Sequence, residues 1–382
     1  MKTRSRRLDG LAQSPIRTMT RLCSEQGGIN LGQGLCQMPT PSVVIAAASE
    51  ALKADHNAYS YPEGELSLRE LIAAKLLASN HIHADPMCEI TVTSGTAAAF
   101  TATIHGLLEP GDGILLFEPY YGYHLAAAKV AGLRPELVTL QGPGFALNEE
   151  TLRAAISPKT RAMVLVTPGN PTGHMMTRDE LEIVDRVAEE FDLLVITDEI
   201  YEEIRYDGRE HISPATVGDL GKRTVTLMGL SKTFAITGWR LGYAVAPPEL
   251  SKAITLVHDL FYICAPTPLQ HGVAAGFQLP PSFFEEQRQQ YAARRSLLCD
   301  ALDRAGLPAI RPEGAYYVLS DVSRLGQPDS MACAVELLER TGVATVPGSA
   351  FHQGSGGDQL VRLCFALPME SIEEAAERLG RL

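Results

Sequence analysis

The chain has 382 residues, of which 45% are hydrophobic and 20% are charged. This composition is typical of a globular protein, and the length suits two domains of roughly 100–200 residues each. The formal net charge of −12 at pH 7 argues against nucleic-acid binding, which needs a basic face. Since no run approaches ~18 apolar residues, no membrane span is expected.

The N-terminus and the cysteines indicate the compartment. Residues 1–7 are basic, but no apolar segment follows them, so we expect a solvated arm rather than a secretory signal. The seven cysteines form no Cys-x-x-Cys pair, which favours reduced thiols in a cytoplasmic protein. A stretch at 81–88 contains two histidines, an aspartate and a cysteine, but the spacing matches no usual zinc pattern. We therefore predict no metal site.

Short apolar runs alternate with amphipathic segments through the middle of the chain. Continuous runs rich in β-branched residues are typical of strands covered by helices on both faces. Strands are predicted at residues 90–93, 114–117, 162–167, 193–197, 224–228 and 241–245. Helices between them are predicted to begin at two capping boxes, Ser67 with Glu70 and Thr177 with Glu180. The alternation predicts an α/β domain with a mostly parallel central sheet at about residues 45–285.

A smaller α/β domain is predicted at residues 286–382. A long polar helix at 282–305 leads into it, and a final helix ends it. Between these helices we predict strands at 316–319, 343–346 and 360–365, and a helix near 331–340. Residues 1–44 look irregular and are expected to form an N-terminal arm that packs with this smaller domain.

Lys232 follows one of the predicted strands, within Ser-Lys-Thr-Phe at 231–234. Strand ends line clefts in such sheets, and a lysine desolvated there favours the neutral amine that Schiff-base chemistry needs. Arg240, in Gly-Trp-Arg-Leu-Gly at 238–242, has the planar cation that suits a phosphate dianion. Taken alone, the same pattern is equally consistent with two exposed basic residues beside a turn.

Asp198 and Tyr201 follow another predicted strand, in Thr-Asp-Glu-Ile-Tyr at 197–201. Ligands bind outside the carboxyl ends of such strands, and a carboxylate buried there needs a cationic partner. The alternative is an aspartate that caps a helix.

Two turns follow further predicted strands. Pro-Gly-Asn-Pro-Thr-Gly at 168–173 has the composition of a rigid turn, which would hold Asn170 at the sheet edge. Ser-Gly-Thr-Ala at 94–97 precedes an alanine-rich helix, whose first N–H groups can bind phosphate, and Gly95 permits a close approach. Each motif alone is also consistent with an ordinary turn or small-residue loop.

In their order along the chain, the four motifs resemble those of the class I and II aminotransferases of pyridoxal 5′-phosphate (PLP) fold type I. The resemblance extends from about Ile29 to the C-terminus. It implies a large PLP-binding α/β domain with a smaller α/β domain, and an enzyme that moves an amino group from an L-amino acid to a 2-oxo acid. The route implied is a Lys232 Schiff base and pyridoxamine phosphate. A PLP-dependent lyase, replacement or cyclising enzyme, acting in a specialised biosynthetic pathway, shares these motifs and remains an alternative.

The resemblance also implies residue roles. Lys232, Asp198 and Tyr201 are the expected catalytic residues: Lys232 moves protons, Asp198 pairs with the ring nitrogen, and Tyr201 bonds the ring oxygen. The remaining expected cofactor-binding residues are Gly95, Thr96, Ala97, Tyr121, Asn170, Ser231, Arg240 and Tyr59. The expected substrate-binding residues are Gly34, Asn170 and Arg362, with Arg362 gripping the α-carboxylate. Tyr59 is expected to reach the phosphate in a partner subunit, which implies a homodimer with shared active sites.

Three further segments resemble the branch of kynurenine, glutamine and methionine aminotransferases: Leu-Gly-Gln-Gly at 31–34, Phe-Glu-Pro-Tyr at 117–120 and Arg-Leu-Cys-Phe at 362–365. That branch usually continues the first segment with Phe-Pro-Asp-Phe, over the substrate side chain, whereas residues 35–38 here are Leu-Cys-Gln-Met. The loss of two aromatic rings and a carboxylate argues against an aromatic donor. Residues 259–266 lack the arginine that aspartate-specific relatives use for a distal carboxylate, which argues against strict aspartate specificity.

Overall fold

A computed structural model describes residues 5–11 and 14–382, so part of the basic segment 1–7 lies outside the described residues. The helices are α1 (Pro15–Glu25), α2 (Ser42–Lys53), α3 (Leu66–Lys75), α4 (Thr96–Leu107), α5 (Gly122–Ala131), α6 (Glu149–Ala155), α7 (Arg178–Glu190), α8 (Leu230–Thr233), α9 (Pro248–Tyr262), α10 (Thr267–Gly276), α11 (Pro281–Arg304), α12 (Ser330–Thr341) and α13 (Met369–Leu379). The strands are β1 (Ile29–Asn30), β2 (Ile90–Thr93), β3 (Gly113–Glu118), β4 (Arg134–Thr139), β5 (Thr160–Val166), β6 (Leu194–Asp198), β7 (Thr224–Gly229), β8 (Gly242–Val245), β9 (Ala309–Ile310), β10 (Tyr317–Asp321), β11 (Val343–Ala344), β12 (Val346–Pro347) and β13 (Leu360–Cys364).

The larger sheet has the strand order β2-β8-β7-β6-β5-β3-β4. Neighbouring strands are parallel from β7 to β4, while β8 is antiparallel to both of its neighbours. Helices cover both faces, where three apolar clusters are buried. The expected α/β architecture with a mostly parallel central sheet is therefore confirmed.

The larger sheet contains every strand predicted for it, within a few residues, and one strand that the sequence did not reveal. The missed strand, β4, lies at the sheet edge, where most of its residues are partly or fully exposed. An exposed edge strand carries no continuous apolar run, so the pattern used for the buried strands does not detect it.

One of the two predicted capping boxes is correct. Thr177 and Glu180 form the reciprocal side-chain to backbone bonds that start α7. The box at Ser67 and Glu70 was wrong, because α3 begins one residue before Ser67, and its N-cap residue makes no side-chain capping bond. The N–H of that N-cap residue, Glu65, instead donates to Oε1 of Gln270 across 2.8 Å.

A smaller antiparallel sheet has the order β12-β13-β10-β9. The single strand predicted at 343–346 is in fact two short strands, because the chain changes partner within it: β11 pairs with β1, and β12 pairs with β13. Met19 and Cys23 of α1 pack into the core beneath this smaller sheet. The N-terminal segment is thereby attached to the C-terminal part of the chain.

The carboxyl ends of four strands lie at the same edge of the larger sheet. The strands β5, β6 and β7 are parallel, and β2 runs in the same direction because β2 and β7 are both antiparallel to β8. The motifs predicted to carry chemistry follow these four strands, so the topology brings them together. Within the described part of the chain, no helix is both long and apolar enough to cross a membrane.

Candidate active site

A cleft of about 1000 Å³ lies at this edge of the larger sheet. Most of the predicted cofactor and substrate residues line it. These residues are Gly34, Thr96, Ala97, Tyr121, Asn170, Asp198, Tyr201, Ser231, Lys232, Arg240 and Arg362. Two predicted residues do not line the cleft, Gly95 and Tyr59. Gly95 lies beside the Arg240 guanidinium.

Lys232 lies in the short helix α8, directly after β7. Its Nζ donates a hydrogen bond to the carbonyl oxygen of Gly34 across 3.2 Å and lies 5.5 Å from the ring centroid of Tyr316. Burial lowers the pKa of the Lys232 amine, and this effect outweighs the opposing influence of two nearby cysteines. A lowered pKa increases the fraction of neutral amine, which is the nucleophilic form.

Asp198 ends β6 as a buried carboxylate. Its Oδ2 lies 3.2 Å from Nε2 of His124, which is also buried. No motif in the sequence points to His124, because a single histidine in the helix α5 carries no distinguishing spacing. Asp198 is the one carboxylate among the described residues that line the cleft. It is thus paired with the His124 imidazole, which can donate a hydrogen bond or carry a proton.

The hydroxyls of Tyr201 and Tyr317 lie 3.0 Å apart. Burial raises the pKa of both phenols, so both remain protonated and able to donate. Tyr121 lines the same cleft, and its ring meets that of His124 edge-on with centroids 5.1 Å apart. Tyr317 was also missed as a site residue, since it lies inside a predicted strand without a recognisable motif.

Arg362 is buried in β13, with only 2% of its surface exposed. Its Nη1 donates to Oδ1 of Asn170, and its Nη2 donates to the carbonyl oxygen of Gly32, both across 2.8 Å. The guanidinium carbon lies 4.2 Å from the ring centroid of Tyr317. Nε has no hydrogen-bond partner among residues 5–11 and 14–382. A buried cation without a carboxylate partner is suited to receive an anion from outside.

Gly95 directly precedes α4, where the first N–H groups of a helix have no intrahelical partners, and the Arg240 guanidinium lies beside it. Gly95 has a φ of 84°, and a Cβ built there would lie 2.6 Å from Nη2 of Arg240. Nη1 of Arg240 donates to the carbonyl oxygen of Thr237 across 2.8 Å. The Thr96 hydroxyl donates to the Met228 carbonyl across 3.1 Å. Free N–H groups, a glycine and an anchored guanidinium are the parts of a phosphate-binding site.

The sequence model described as aminotransferase class I and II matches residues 26–379. The chain belongs to this family. An aromatic-amino-acid aminotransferase 2 of Thermococcus litoralis is 34% identical, covering 99% of this chain and 97% of the relative. Kynurenine–oxoglutarate transaminase 3 of Rattus norvegicus is 30% identical, covering 99% and 89%.

Among solved structures, YbdL from Escherichia coli, described as having a methionine aminotransferase function, matches with a TM-score of 0.96 at 29% identity over 100% of both chains. All three of these relatives are named for amino-group transfer. The chain is therefore a PLP-dependent aminotransferase that acts on amino acids and 2-oxo acids. The expected resemblance, fold, activity and cofactor are confirmed, and no observation favours the lyase alternative.

The loop at 35–38 of this aminotransferase turns only one of its side chains toward the cleft. Leu35 lines the cleft and is 40% exposed. Cys36 and Met38 are instead buried in the core of the smaller sheet, where Sγ of Cys36 lies 3.2 Å from the Tyr291 hydroxyl. Of the unusual loop residues, Leu35 is therefore the one in a position to contact a substrate side chain.

Tyr59 lies away from the cleft of its own chain. It is 78% exposed, and the segment that carries it is anchored by the Ser60 N–H, which donates to the Thr267 hydroxyl across 3.1 Å. From the family resemblance, Tyr59 is expected to reach the cofactor of a partner subunit, and a position outside its own cleft agrees with that expectation. The role itself stays a prediction.

Proposed function

We propose that Lys232 is the residue of this aminotransferase that holds PLP as a Schiff base and moves the proton during amino transfer. The observation that carries the proposal is the convergence of three groups in one cleft: the Lys232 amine with its lowered pKa, the buried Asp198 carboxylate and the buried Arg362 guanidinium. Each matches a different requirement of the chemistry: Asp198 ends β6, Lys232 follows β7, and Arg362 lies in the middle of β13.

The described residues fit PLP. Gly95 leaves open the space beside the Arg240 guanidinium that a side chain would fill, and we assign Gly95, Thr96, Ala97, Ser231 and Arg240 to the phosphate. Asp198 is assigned to the ring nitrogen, while Tyr201 and Asn170 are assigned to the ring oxygen. Tyr121 is assigned to the ring face. When bound, PLP supplies an electron sink that stabilises negative charge at the substrate Cα.

The protein groups then divide the remaining tasks. Arg362 binds the substrate α-carboxylate with its planar fork, helped by the backbone of Gly34, and so orients the Cα–H bond. The Lys232 amine would take the proton from the substrate Cα and give a proton back at C4′ of the cofactor. The contact from His124 holds the Asp198 carboxylate in place.

The larger organisation is proposed on the same basis. We assign residues 1–44 to an N-terminal arm, 45–285 to the PLP-binding domain and 286–382 to the smaller domain. The enzyme is proposed to act as a homodimer in the cytoplasm, with Tyr59 of each subunit completing the phosphate site of its partner. The unpaired pattern of cysteines supports the compartment, and the exposure of Tyr59 supports the shared site.

Borohydride reduction of the purified holoenzyme tests the assignment of Lys232. We expect a pyridoxyl group on the peptide that contains Lys232, and loss of turnover with retained fold in Lys232→Ala. Lys75 is a matched control, because it is also largely buried, but it is paired with Glu202. A label on Lys75, or on any other lysine, would overturn the proposal.

A screen of amino donors then defines the substrate. Conversion of the yellow cofactor form to pyridoxamine phosphate, with release of a 2-oxo acid, reports amino transfer by absorbance. Product analysis separates this outcome from elimination, because elimination releases part of the substrate side chain and regenerates the original cofactor absorbance.

A further inference from the structure

Helix α1 forms one wall of the cleft. Its buried face, with Met19 and Cys23, packs into the core of the smaller sheet, and the Thr20 hydroxyl accepts a hydrogen bond from Nδ2 of Asn30 across 3.1 Å. The other face turns toward the cleft, and its lining residues follow helical spacing. These residues are Ile16, Arg17, Thr20, Arg21 and Ser24.

The cleft contains more positive charge than the proposed chemistry uses. Among the described residues that line it, the cationic side chains are Arg17, Arg21, Lys232, Arg240 and Arg362, and the carboxylate is that of Asp198. In the proposed function, PLP phosphate matches Arg240, the substrate α-carboxylate matches Arg362, and the ring nitrogen matches Asp198. Lys232 is assigned to the covalent bond with the cofactor. The proposed function makes no use of the two guanidinium groups on α1, those of Arg17 and Arg21.

The local surroundings of these two arginines do not explain them. Arg17 and Arg21 are one helical turn apart, where like charges destabilise a helix. Nε of Arg21 lies 3.9 Å from Oε1 of Glu25, in a pair exposed enough to contribute little. Arg17 makes no ion pair with any residue in the described ranges 5–11 and 14–382. An anion held between the two guanidinium groups would remove the repulsion and supply charge-assisted hydrogen bonds.

We propose that Arg17 and Arg21 form a second anion subsite, which binds the distal carboxylate of a dicarboxylic amino acid or 2-oxo acid. This inference rests on the proposed function, because the same substrate is anchored at its α-carboxylate by Arg362. Leu35 lines the cleft as well and supplies an aliphatic contact for the methylene groups between the two carboxylates. The subsite belongs to the same chain as Lys232.

Calorimetric titration of the holoenzyme with glutarate and butyrate tests the subsite without any turnover. Glutarate has two carboxylates and butyrate has one, so the wild-type enzyme is expected to bind glutarate about tenfold more tightly. Arg17→Gln/Arg21→Gln removes both charges but keeps a good helix former. In this double variant the preference for glutarate should disappear, while butyrate affinity stays the same.

A matched control removes the same charge elsewhere. Arg186 and Arg381 are exposed arginines outside the cleft lining, so Arg186→Gln/Arg381→Gln should keep the wild-type preference for glutarate. A glutarate preference that survives in the Arg17→Gln/Arg21→Gln enzyme would overturn the proposal. Equal weakening of both ligands would overturn it as well, because that result means the variant disturbs the cleft rather than a distal-carboxylate contact.

The amino-acid half-reaction gives a second readout, with glutamate compared to its neutral isostere glutamine. In the double variant we expect kcat/KM for glutamate to fall about tenfold, with less than a twofold change for glutamine. If no amino acid in the donor screen converts the cofactor but glutarate binding depends on the two arginines, the proposed residue roles fail and the subsite stands. If the double variant converts glutamate and glutamine as fast as the wild-type enzyme does, the proposed subsite is refuted and the proposed residue roles are unaffected.

Discussion

Nη1 of Arg362 donates to Oδ1 of Asn170 across 2.8 Å, and this hydrogen bond joins the strand β13 of the smaller sheet to the turn after β5 of the larger one. The second bond of the guanidinium, to the Gly32 carbonyl, fixes its plane. Arginine has five N–H donors, so others remain available for a ligand. An orientation set in advance reduces the entropy lost when a substrate binds.

Arg362→Lys is expected to impair the amino-acid half-reaction and leave cofactor absorbance and affinity nearly unchanged. Lysine keeps the positive charge but cannot present two parallel donors to a carboxylate. Breaking a buried charge pair of this kind costs about 2–5 kcal/mol, which corresponds to roughly 1.5 to 3.5 decades in kcat/KM. Because lysine keeps the positive charge, we expect the loss of kcat/KM to lie toward the lower end of this range. Single-turnover absorbance measurements with one good donor give the rate.

Arg294→Lys separates a catalytic effect from a structural one. Arg294 is also buried, and its Nε donates to the Leu367 carbonyl across 2.8 Å, but it does not line the cleft. We expect this control to lose stability and keep its rate per folded molecule. If Arg362→Lys behaves like the control, with a lowered melting temperature and near-normal rates, Arg362 is a structural residue and does not bind the substrate.

Gly95→Ala is expected to weaken cofactor binding. The new Cβ would lie 2.6 Å from Nη2 of Arg240, so the guanidinium must move out of the position assigned to phosphate binding. The backbone at Gly95, with a φ of 84° and a ψ of 162°, adds strain of about 1–3 kcal/mol when alanine is placed there. Equilibrium titration of the apoenzyme with PLP, followed by absorbance, measures the affinity.

Gly326→Ala supplies the control for strain. Gly326 has a φ of 68°, and a Cβ there meets nothing within 4 Å. Both alanine variants should lose stability to urea, Gly95→Ala the more because Gly326 has the milder left-handed conformation, and only Gly95→Ala should lose PLP affinity. Equal PLP affinity in the two variants would mean that the space beside Arg240 has no part in holding the cofactor.

The sequence identified the site residues that follow strands in recognisable motifs. Lys232, Asp198 and Asn170 each come directly after an apolar run, and the parallel topology then forces them to one edge of the sheet. The sequence could not identify residues that reach the cleft from a helix face or from the middle of a strand. His124 and Tyr317 are of this kind, since their places depend on packing between elements that are distant in the sequence.

Packing between distant elements also decides two other features that the sequence could not predict, the position of Arg17 and the start of α3. No motif marks Arg17 in the sequence, and its place in the cleft wall follows from the packing of α1 against the smaller sheet. The capping box expected at Ser67 failed because Gln270, some two hundred residues away, satisfies the N–H of Glu65. Tertiary contacts such as this one override local pattern.

Mixing of inactive variants tests the shared active site. Lys232→Ala has an intact Tyr59, and Tyr59→Ala has an intact Lys232, so a mixed dimer contains one complete site. We expect subunit exchange between these two variants to restore part of the activity. Lys232→Ala mixed with Arg240→Ala should stay inactive, because both residues serve the cleft of their own chain. Sedimentation of a fully active monomer would rule out the shared site.

His174 joins two carboxylates beneath the turn that carries Asn170. Its Nε2 lies 3.0 Å from both carboxylate oxygens of Glu180, and its Nδ1 lies 3.4 Å from Oε2 of Glu313. Burial disfavours the charged ring, but the hydrogen bonds to both carboxylates outweigh burial and raise the pKa of His174 to about 9. Burial likewise disfavours the Glu180 carboxylate, yet His174 lowers the pKa of Glu180 to about 2.

These shifts predict how the stability contribution of His174 depends on pH. Because its pKa is higher in the folded state, the contribution is complete below the ordinary histidine value of 6.5 and is lost as pH rises through about 9. The lowered pKa of Glu180 acts at the acidic end, where its contribution is lost as pH falls from 4.5 toward about 2. At about pH 6, both groups of the pair are therefore charged.

His174→Gln should reduce the free energy of unfolding by about 1–3 kcal/mol at about pH 6, which is the usual cost of removing one partner from buried hydrogen-bonded groups. The difference from wild type should shrink toward zero at about pH 10, where the native histidine is neutral as well. Urea unfolding across this range measures it. A difference between His174→Gln and wild type that stays constant with pH would show that His174 stabilises the turn as a neutral ring, without the ion pairs.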